Sequence, residues 1–224
     1  MTRVHDMGGR FGDGPVVPEP QGVVPFKEDW HRGALALTVA AGGMGKWNID
    51  ISRHARETLP PRDYSRFSYY EKWIAALADL LVETGVATRR ELAAGQAGAA
   101  PGDTPTLTCD AVTRMLAQGS PALRENTQMP AFEVGQAVRT ARPAANRLVD
   151  GGHTRLPQYA AGARGRILRL HGCHVLPDSN AHGLGEAPEP LYTVVFPAGE
   201  IWAAPEHPKD EVTLDLWQSY LEPA

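Results

Sequence analysis

Ser68-Tyr-Tyr-Glu-Lys-Trp73-Ile-Ala-Ala-Leu77-Ala-Asp-Leu80-Leu81 carries the clearest periodicity in the chain. Ser68-x-x-Glu71 is a capping box, in which each side chain satisfies a backbone N–H that the first helical turn leaves free. Trp73, Ile74, Leu77, Leu80 and Leu81 then recur every three or four positions, which predicts a helix with one apolar face. Helical signals extend to both sides. Trp30, Ala34, Leu37 and Ala41 share a face on a helix ended by Gly42-Gly43, and a short helix near Asp50–Leu59 is stopped by Pro60-Pro61. Thr88-x-x-Glu91 caps a further short helix, and Thr108–Gln118 reads as the last, ended by Gly119. Residues 95–106 form a loop between them. Past Ser120 the period changes. Phe132–Thr140, Ala163–Leu170, Leu191–Phe196 and Val212–Trp217 are short runs in partial alternation, separated by Gly/Pro/Asp-rich turns. The expected fold class is α+β, with four parts: an extended N-terminal arm (1–25), a helical domain (26–120), a linker (121–130) holding Pro121 and Pro130, and a small antiparallel β-barrel (131–224).

The arm is rich in glycine and proline and shows little periodicity. Val4, Met7, Phe11, Val16, Val17, Val23, Val24 and Phe26 make it more apolar than a free tail, so it is expected to lie against another surface.

Composition narrows the function. The 224 residues are 42% apolar, enough to bury a core, and carry a net charge of −4 at a pI near 6.1. That balance offers no basic field for nucleic acid or an anionic membrane. The two cysteines, Cys109 and Cys173, form no C-x-x-C and suit a reducing compartment. No stretch has the apolar core of a signal peptide or the roughly 18 apolar residues of a membrane span, so a cytoplasmic location is the expectation. Of 22 basic residues only four are lysine; with so many arginines, any functional one must be argued from its surroundings.

Common catalytic signatures are missing. There is no G-x-S-x-G elbow, no H-E-x-x-H helix and no G-x-x-x-x-G-K-[ST] loop. His171-Gly-Cys-His174 with nearby His182 offers imidazole and thiolate, but a structural zinc site draws four ligands, often as two close pairs. The stretch reads as turn and packing residues, and no metal is assigned to this chain. The carboxylates are too scattered for a paired acid and base. Arg53, in Asn48-Ile-Asp-Ile-Ser-Arg53, is flanked by aromatic-rich segments, and Arg155, in Gly152-His-Thr-Arg155, stands just before Leu156-Pro157 and Tyr159 in the connection between the first two barrel strands. From their surroundings alone they read as surface arginines. Tyr70 and Trp73 fit the core stripe of their helix, whereas Tyr69 points off it, free to meet a ligand or partner.

Four spaced segments carry a family resemblance: Val4-His-Asp-Met-Gly-Gly-Arg-Phe-Gly-Asp-Gly-Pro15, Ser68-Tyr-Tyr-Glu-Lys-Trp73, Gly152-His-Thr-Arg155 and Asp215-Leu-Trp-Gln-Ser-Tyr-Leu-Glu-Pro-Ala224. Leu176-Pro-Asp178, Ala181-His-Gly-Leu-Gly-Glu186 and Leu191-Tyr-Thr-Val-Val-Phe196 fall between them in family order. With these residues the chain resembles the β subunit of nitrile hydratase, a lyase that adds water to a nitrile to give an amide. The resemblance implies an SH3-like barrel and a partner α subunit, in an αβ heterodimer or α2β2 heterotetramer. It also implies a cobalt(III) or iron(III) ion bound by that partner through a cysteine-rich loop with two oxidised cysteines. Tyr69-Tyr-Glu-Lys-Trp73 resembles the Tyr-Tyr-x-x-Trp of cobalt-type members. By position in the family pattern, Arg53 and Arg155 are the arginines that bond the oxidised cysteines, and Ile49, Tyr69, Lys72 and Trp73 line the substrate pocket. Two alternatives stay open: a thiocyanate hydrolase-type subunit, in which the two halves are separate polypeptides, and a non-catalytic protein delivering metal to the α subunit, which resembles the helical half alone.

Overall fold

The computed structural model describes residues 4–6, 17–98, 105–125 and 128–224. Much of the arm, including Met7, Phe11 and Val16, and part of the 95–106 loop lie outside the described residues. The chain divides into two compact units, Phe11–Ser120 and Met1–Arg10 with Pro121–Ala224.

The first unit is helical: α1 (Asp29–Gly42), α2 (Ile49–Glu57), α3 (Pro61–Arg66), α4 (Tyr69–Glu83), α5 (Arg89–Ala94) and α6 (Cys109–Gln118). The capping boxes are where the sequence places them. The Ser68 N–H donates to the Glu71 carboxylate at 2.7 Å and the Thr88 N–H to Glu91 at 2.8 Å. The Thr88 hydroxyl, with the Thr88 and Gly98 N–H groups, holds the Glu91 carboxyl down at about 2. Helices α1 and α2 both pack on α4. Ala76, Leu77 and Leu80 of α4 are buried with Ala34 and Ala41 of α1 and Leu59; of the predicted stripe Leu77 and Leu80 are core, and Trp73, Ile74 and Leu81 are partly buried. Pro60-Pro61 does more than stop α2. Pro61 takes the first position of α3, where its missing N–H costs nothing, and an unpredicted helix begins.

The second unit is an antiparallel sheet of β1 (Leu123–Arg124), β2 (Ala137–Thr140), β3 (Arg164–His174), β4 (Glu189–Pro197), β5 (Glu211–Trp217) and β6 (Leu221–Pro223). Two helical turns, α7 (Pro177–Asn180) and α8 (Ala198–Ile201), interrupt it. Its order is β5-β4-β3-β2-β6, with β1 on the far end of β3. The expected closed barrel is not formed. The last strand crosses through a 3-10 turn at Gln218–Tyr220 and pairs with β2, leaving β5 and β6 as edges. Tyr192, Val194 and Phe196 of β4 pack on Val138, Ile167 and Leu216, each almost fully buried.

Strand β3 is longer than its alternation suggests. His171–His174 was expected as a turn but continues the strand, because register shifts at Ile167/Arg169 and Leu170/Cys173 absorb the breaks in pattern. Gly172 sits in the second shift at φ +85°, a left-handed backbone open to glycine.

Candidate functional site

In the helical unit the expected site residues lie on α2 and α4. Asn48 caps α2, its side-chain oxygen accepting from the Asp50 and Ile51 N–H groups at 3.0 and 2.9 Å. This leaves Asp50 in the first turn, where the helix dipole favours a carboxylate, with its side chain only 5% exposed. One turn on, Arg53 Nη1 donates to Asp50 Oδ1 at 2.8 Å. A single edge of the guanidinium is thereby fixed. The side chain remains 39% exposed, and no other partner for it occurs among the described residues. Ile49, one turn before Arg53, is 55% exposed, unusual for a large apolar side chain.

Tyr69 and Trp73 stack one turn apart on α4, ring centroids 5.4 Å apart. Tyr69 is 64% exposed, pointing off the core stripe as expected, whereas Tyr70 turns inward against His31 and Phe26. The Arg56 guanidinium lies 4.9 Å from the Trp73 ring centre and ties α2 to α4 by a cation–π contact. Burial lowers its pKa while the nearby Tyr69 and Glu57 oppose the shift. Lys72 extends its ammonium over Tyr64, 4.2 Å from the ring centre. Ile49, Arg53, Tyr69 and Trp73 thus belong to one pair of packed helices. Lys72 is directed toward α3 and Tyr64.

In the sheet unit, Arg155 sits between β2 and β3, as expected. Its side chain is exposed, and its guanidinium has no hydrogen bond or ion pair among the described residues. The backbone beneath it is tightly held. Gly152, His153 and Leu156 are buried, and a set of polar side chains from distant segments meets the turn. Asn146 Nδ2 donates to the carbonyls of His153 and Asp178 at 2.6 and 2.8 Å, while its oxygen accepts from Leu148 and Val149. The His153 N–H donates to His182 Nε2 at 2.9 Å. The Arg155 N–H donates to the Tyr220 hydroxyl at 3.1 Å, and that hydroxyl donates to Asp178. Just downstream, the Gln158 N–H donates to the Asp6 carboxylate of the arm at 2.9 Å.

Burial pushes the Asp178 carboxyl up to about 6, although Tyr220, Thr154 and His153 favour its charged form. Tyr220 is driven upward by burial and by Asp178, so the shared proton stays on the phenol. Gly152 belongs here for steric reasons. A Cβ on it would come within 2.7 Å of both Asn146 Nδ2 and His182 Nε2. The sequence gives no warning of this network. Asn146, Asp178, His182 and Tyr220 span 75 positions and meet only once the sheet has formed.

The histidine–cysteine stretch is dispersed. Cys173 is buried with its thiol toward the Gln128 carbonyl at 3.5 Å, His171 lies 2.7 Å from the Thr193 hydroxyl, and His182 is committed to the Arg155 turn. Cys109 is exposed on α6.

Comparison with known proteins covers the whole chain. "Nitrile hydratase beta subunit, N-terminal" matches residues 1–126 and "Nitrile hydratase beta subunit, C-terminal" residues 121–223. The chain is 39% identical to a nitrile hydratase subunit beta from Pseudomonas putida over the full length of both. It is 36% identical to the subunit beta of a low-molecular weight cobalt-containing nitrile hydratase from Rhodococcus rhodochrous, again over both full lengths. A cobalt-containing nitrile hydratase subunit beta from Pseudonocardia thermophila is 32% identical, covering 99% of this chain and 96% of its own. A thiocyanate hydrolase chain from Thiobacillus thioparus aligns with 54% of this chain at a TM-score of 0.41 and 26% identity. Carrying both β-subunit segments in one polypeptide, the chain belongs to the nitrile hydratase β-subunit family.

Proposed function

We propose that this chain is the β half of an αβ enzyme hydrating nitriles to amides, and that it contributes Arg53, Arg155 and a pocket wall to a centre whose metal the α subunit binds. The observation that carries the reading is the presentation of Arg155: a rigid backbone anchored by buried groups, ending in an exposed guanidinium that no described residue pairs. Desolvated against a partner, such a group needs an anion.

Within this chain the two cysteines do not make a thiolate claw for a trivalent metal. Cys173 is buried in β3 and Cys109 is on α6, so no thiolate pair forms. The arginines instead fit oxidised cysteine ligands on a partner. A guanidinium stays charged and offers a planar fork matching two oxygens, and charge-assisted bonds of this kind contribute roughly 1.5–3 kcal/mol each. Cobalt(III), in keeping with two relatives named as cobalt-containing, or less readily iron(III), would supply Lewis-acid chemistry toward the nitrile or its attacking water. The residues of this chain would orient. Arg53, steadied on one edge by Asp50, and Arg155, steadied from below, would hold the cysteine oxygens so that one is aimed at the nitrile carbon. Ile49, Tyr69 and Trp73 would offer an apolar wall that excludes water around the substrate, with Lys72 at its margin.

The four-strand meander β2–β5, with β6 returning through a 3-10 turn to pair with β2, supports an SH3-like framework. The described residues hold no helix long and apolar enough to cross a membrane, compatible with a cytoplasmic αβ or α2β2 assembly.

Arg155→Lys tests the proposal. Lysine keeps the charge and loses the fork, so the complex assembles while kcat falls by at least about tenfold. A near-normal kcat removes Arg155 from the mechanism.

A further inference from the structure

The turn bearing Arg155 ends at a phenol, and the geometry of that contact goes beyond packing. Tyr220 lies in the 3-10 turn between β5 and β6, and its backbone carbonyl accepts from the Ala141 N–H at 2.7 Å, tying it to the end of β2. Trp217 packs edge-on against its ring at 6.0 Å. The side chain is therefore fixed by the sheet, not by the turn it contacts. Its hydroxyl does two jobs that only a phenol of this reach supplies. It accepts the Arg155 N–H at 3.1 Å and donates to the Asp178 carboxylate. Asp178 is held in turn, its carbonyl accepting from Asn146 Nδ2 at 2.8 Å, the same amide that grips the His153 carbonyl. The Arg155 backbone is thus referenced to β5, β6 and α7 through one oxygen.

We infer that Tyr220, aimed by Asp178, is a positioning residue for Arg155, setting where its guanidinium stands without touching substrate or metal. The alternative is that Tyr220 serves stability alone: it is 5% exposed and Asp178 4%, so both contribute to the core. The two accounts differ in what happens when Arg155 is already impaired. A stabilising residue acts whatever occupies position 155. A positioning residue acts through the guanidinium fork and has nothing left to position once the fork is gone.

This inference rests on the role proposed above for Arg155, and the experiment separates the two. Tyr220→Phe removes one oxygen and keeps the ring. In the assembled αβ complex it is expected to lower kcat by at least about tenfold, because sub-ångström misplacement of a catalytic group has effects of that order, with KM within about twofold of the parent. In an Arg155→Lys background, Tyr220→Phe is expected to add no further loss in kcat. If Tyr220→Phe does not assemble, Asp178→Ala, which removes the acceptor that aims the phenol, takes its place with the same expectation. A full additional loss in the lysine background, or a kcat unchanged by Tyr220→Phe, overturns the positioning role. If Arg155→Lys itself retains normal kcat, it is the Arg155 reading that fails, whatever Tyr220 does.

Discussion

Gly152→Ala should damage this protein more than its chemistry suggests. Glycine-to-alanine changes are often neutral or stabilising, because alanine narrows the unfolded ensemble. Here the added methyl would stand 2.7 Å from Asn146 Nδ2 and from His182 Nε2, about 0.7 Å short of ordinary contact at 3.4 Å. Neither atom is free to yield. Asn146 Nδ2 holds two carbonyls at 2.6 and 2.8 Å, and His182 Nε2 accepts the His153 N–H at 2.9 Å. Retreat by that distance would lengthen the three bonds to as much as about 3.3, 3.5 and 3.6 Å, weakening all of them, and each contributes about 1 kcal/mol net, more when a buried partner is left unsatisfied. The expected cost is about 2–4 kcal/mol, with a shift in Arg155 that lowers kcat. Thermal unfolding of the αβ complex together with steady-state kinetics reads both. Gly33→Ala is the control, since its methyl would meet nothing within 4 Å on α1, and it should be neutral or slightly stabilising. Equal stability for the two variants, with full activity from Gly152→Ala, would refute the argument that the turn is held from inside.

Two further outcomes are expected. The Asp178 carboxyl is raised from 3.8 to about 6, so the folded chain holds this proton more tightly than the unfolded chain. Its contribution is complete below pH 3.8 and disappears as pH rises through 6, a change of about 3 kcal/mol. The stability of Asp178→Asn relative to the parent should therefore grow by that order between pH 4 and 7; a pH-independent difference would contradict the assignment, given the Tyr220, Thr154, His153 and Glu189 groups facing the site. The purified chain alone should show no nitrile hydration and no stoichiometric cobalt or iron by elemental analysis, and turnover without an α subunit would disprove the division of labour.

Local chemistry made part of this molecule legible. Ser68–Glu71 and Thr88–Glu91 each place a cap and its partner within one turn, so two helix starts could be read from four residues. The centre of the α4 stripe, Leu77 and Leu80, is core for the same reason: its periodicity is set by the helix itself. The sheet was harder. Strand β3 runs through Gly172 because a bulge admits a residue that alternation treats as a break, and β1 and β6 are too short to show any pattern. Closure of the barrel was over-read, since alternation says which face is buried but not where the edge strands go. At the proposed site, Arg53 and Arg155 carry no local mark distinguishing them from the other arginines, and family resemblance alone singles them out. What steadies them differs in legibility. Asp50 stands three residues before Arg53 on one helix face, whereas Tyr220 is 65 positions from Arg155 and reaches it only through the fold.

The most direct measurement is an experimental structure of the αβ complex, reading the distances from Arg53 and Arg155 to the oxygens of the partner's oxidised cysteines. The account predicts that both guanidinium groups donate to those oxygens at about 2.7–2.9 Å, the range of charge-assisted N–H···O bonds. Either guanidinium facing bulk solvent, remote from every metal-bound sulfur, would contradict it.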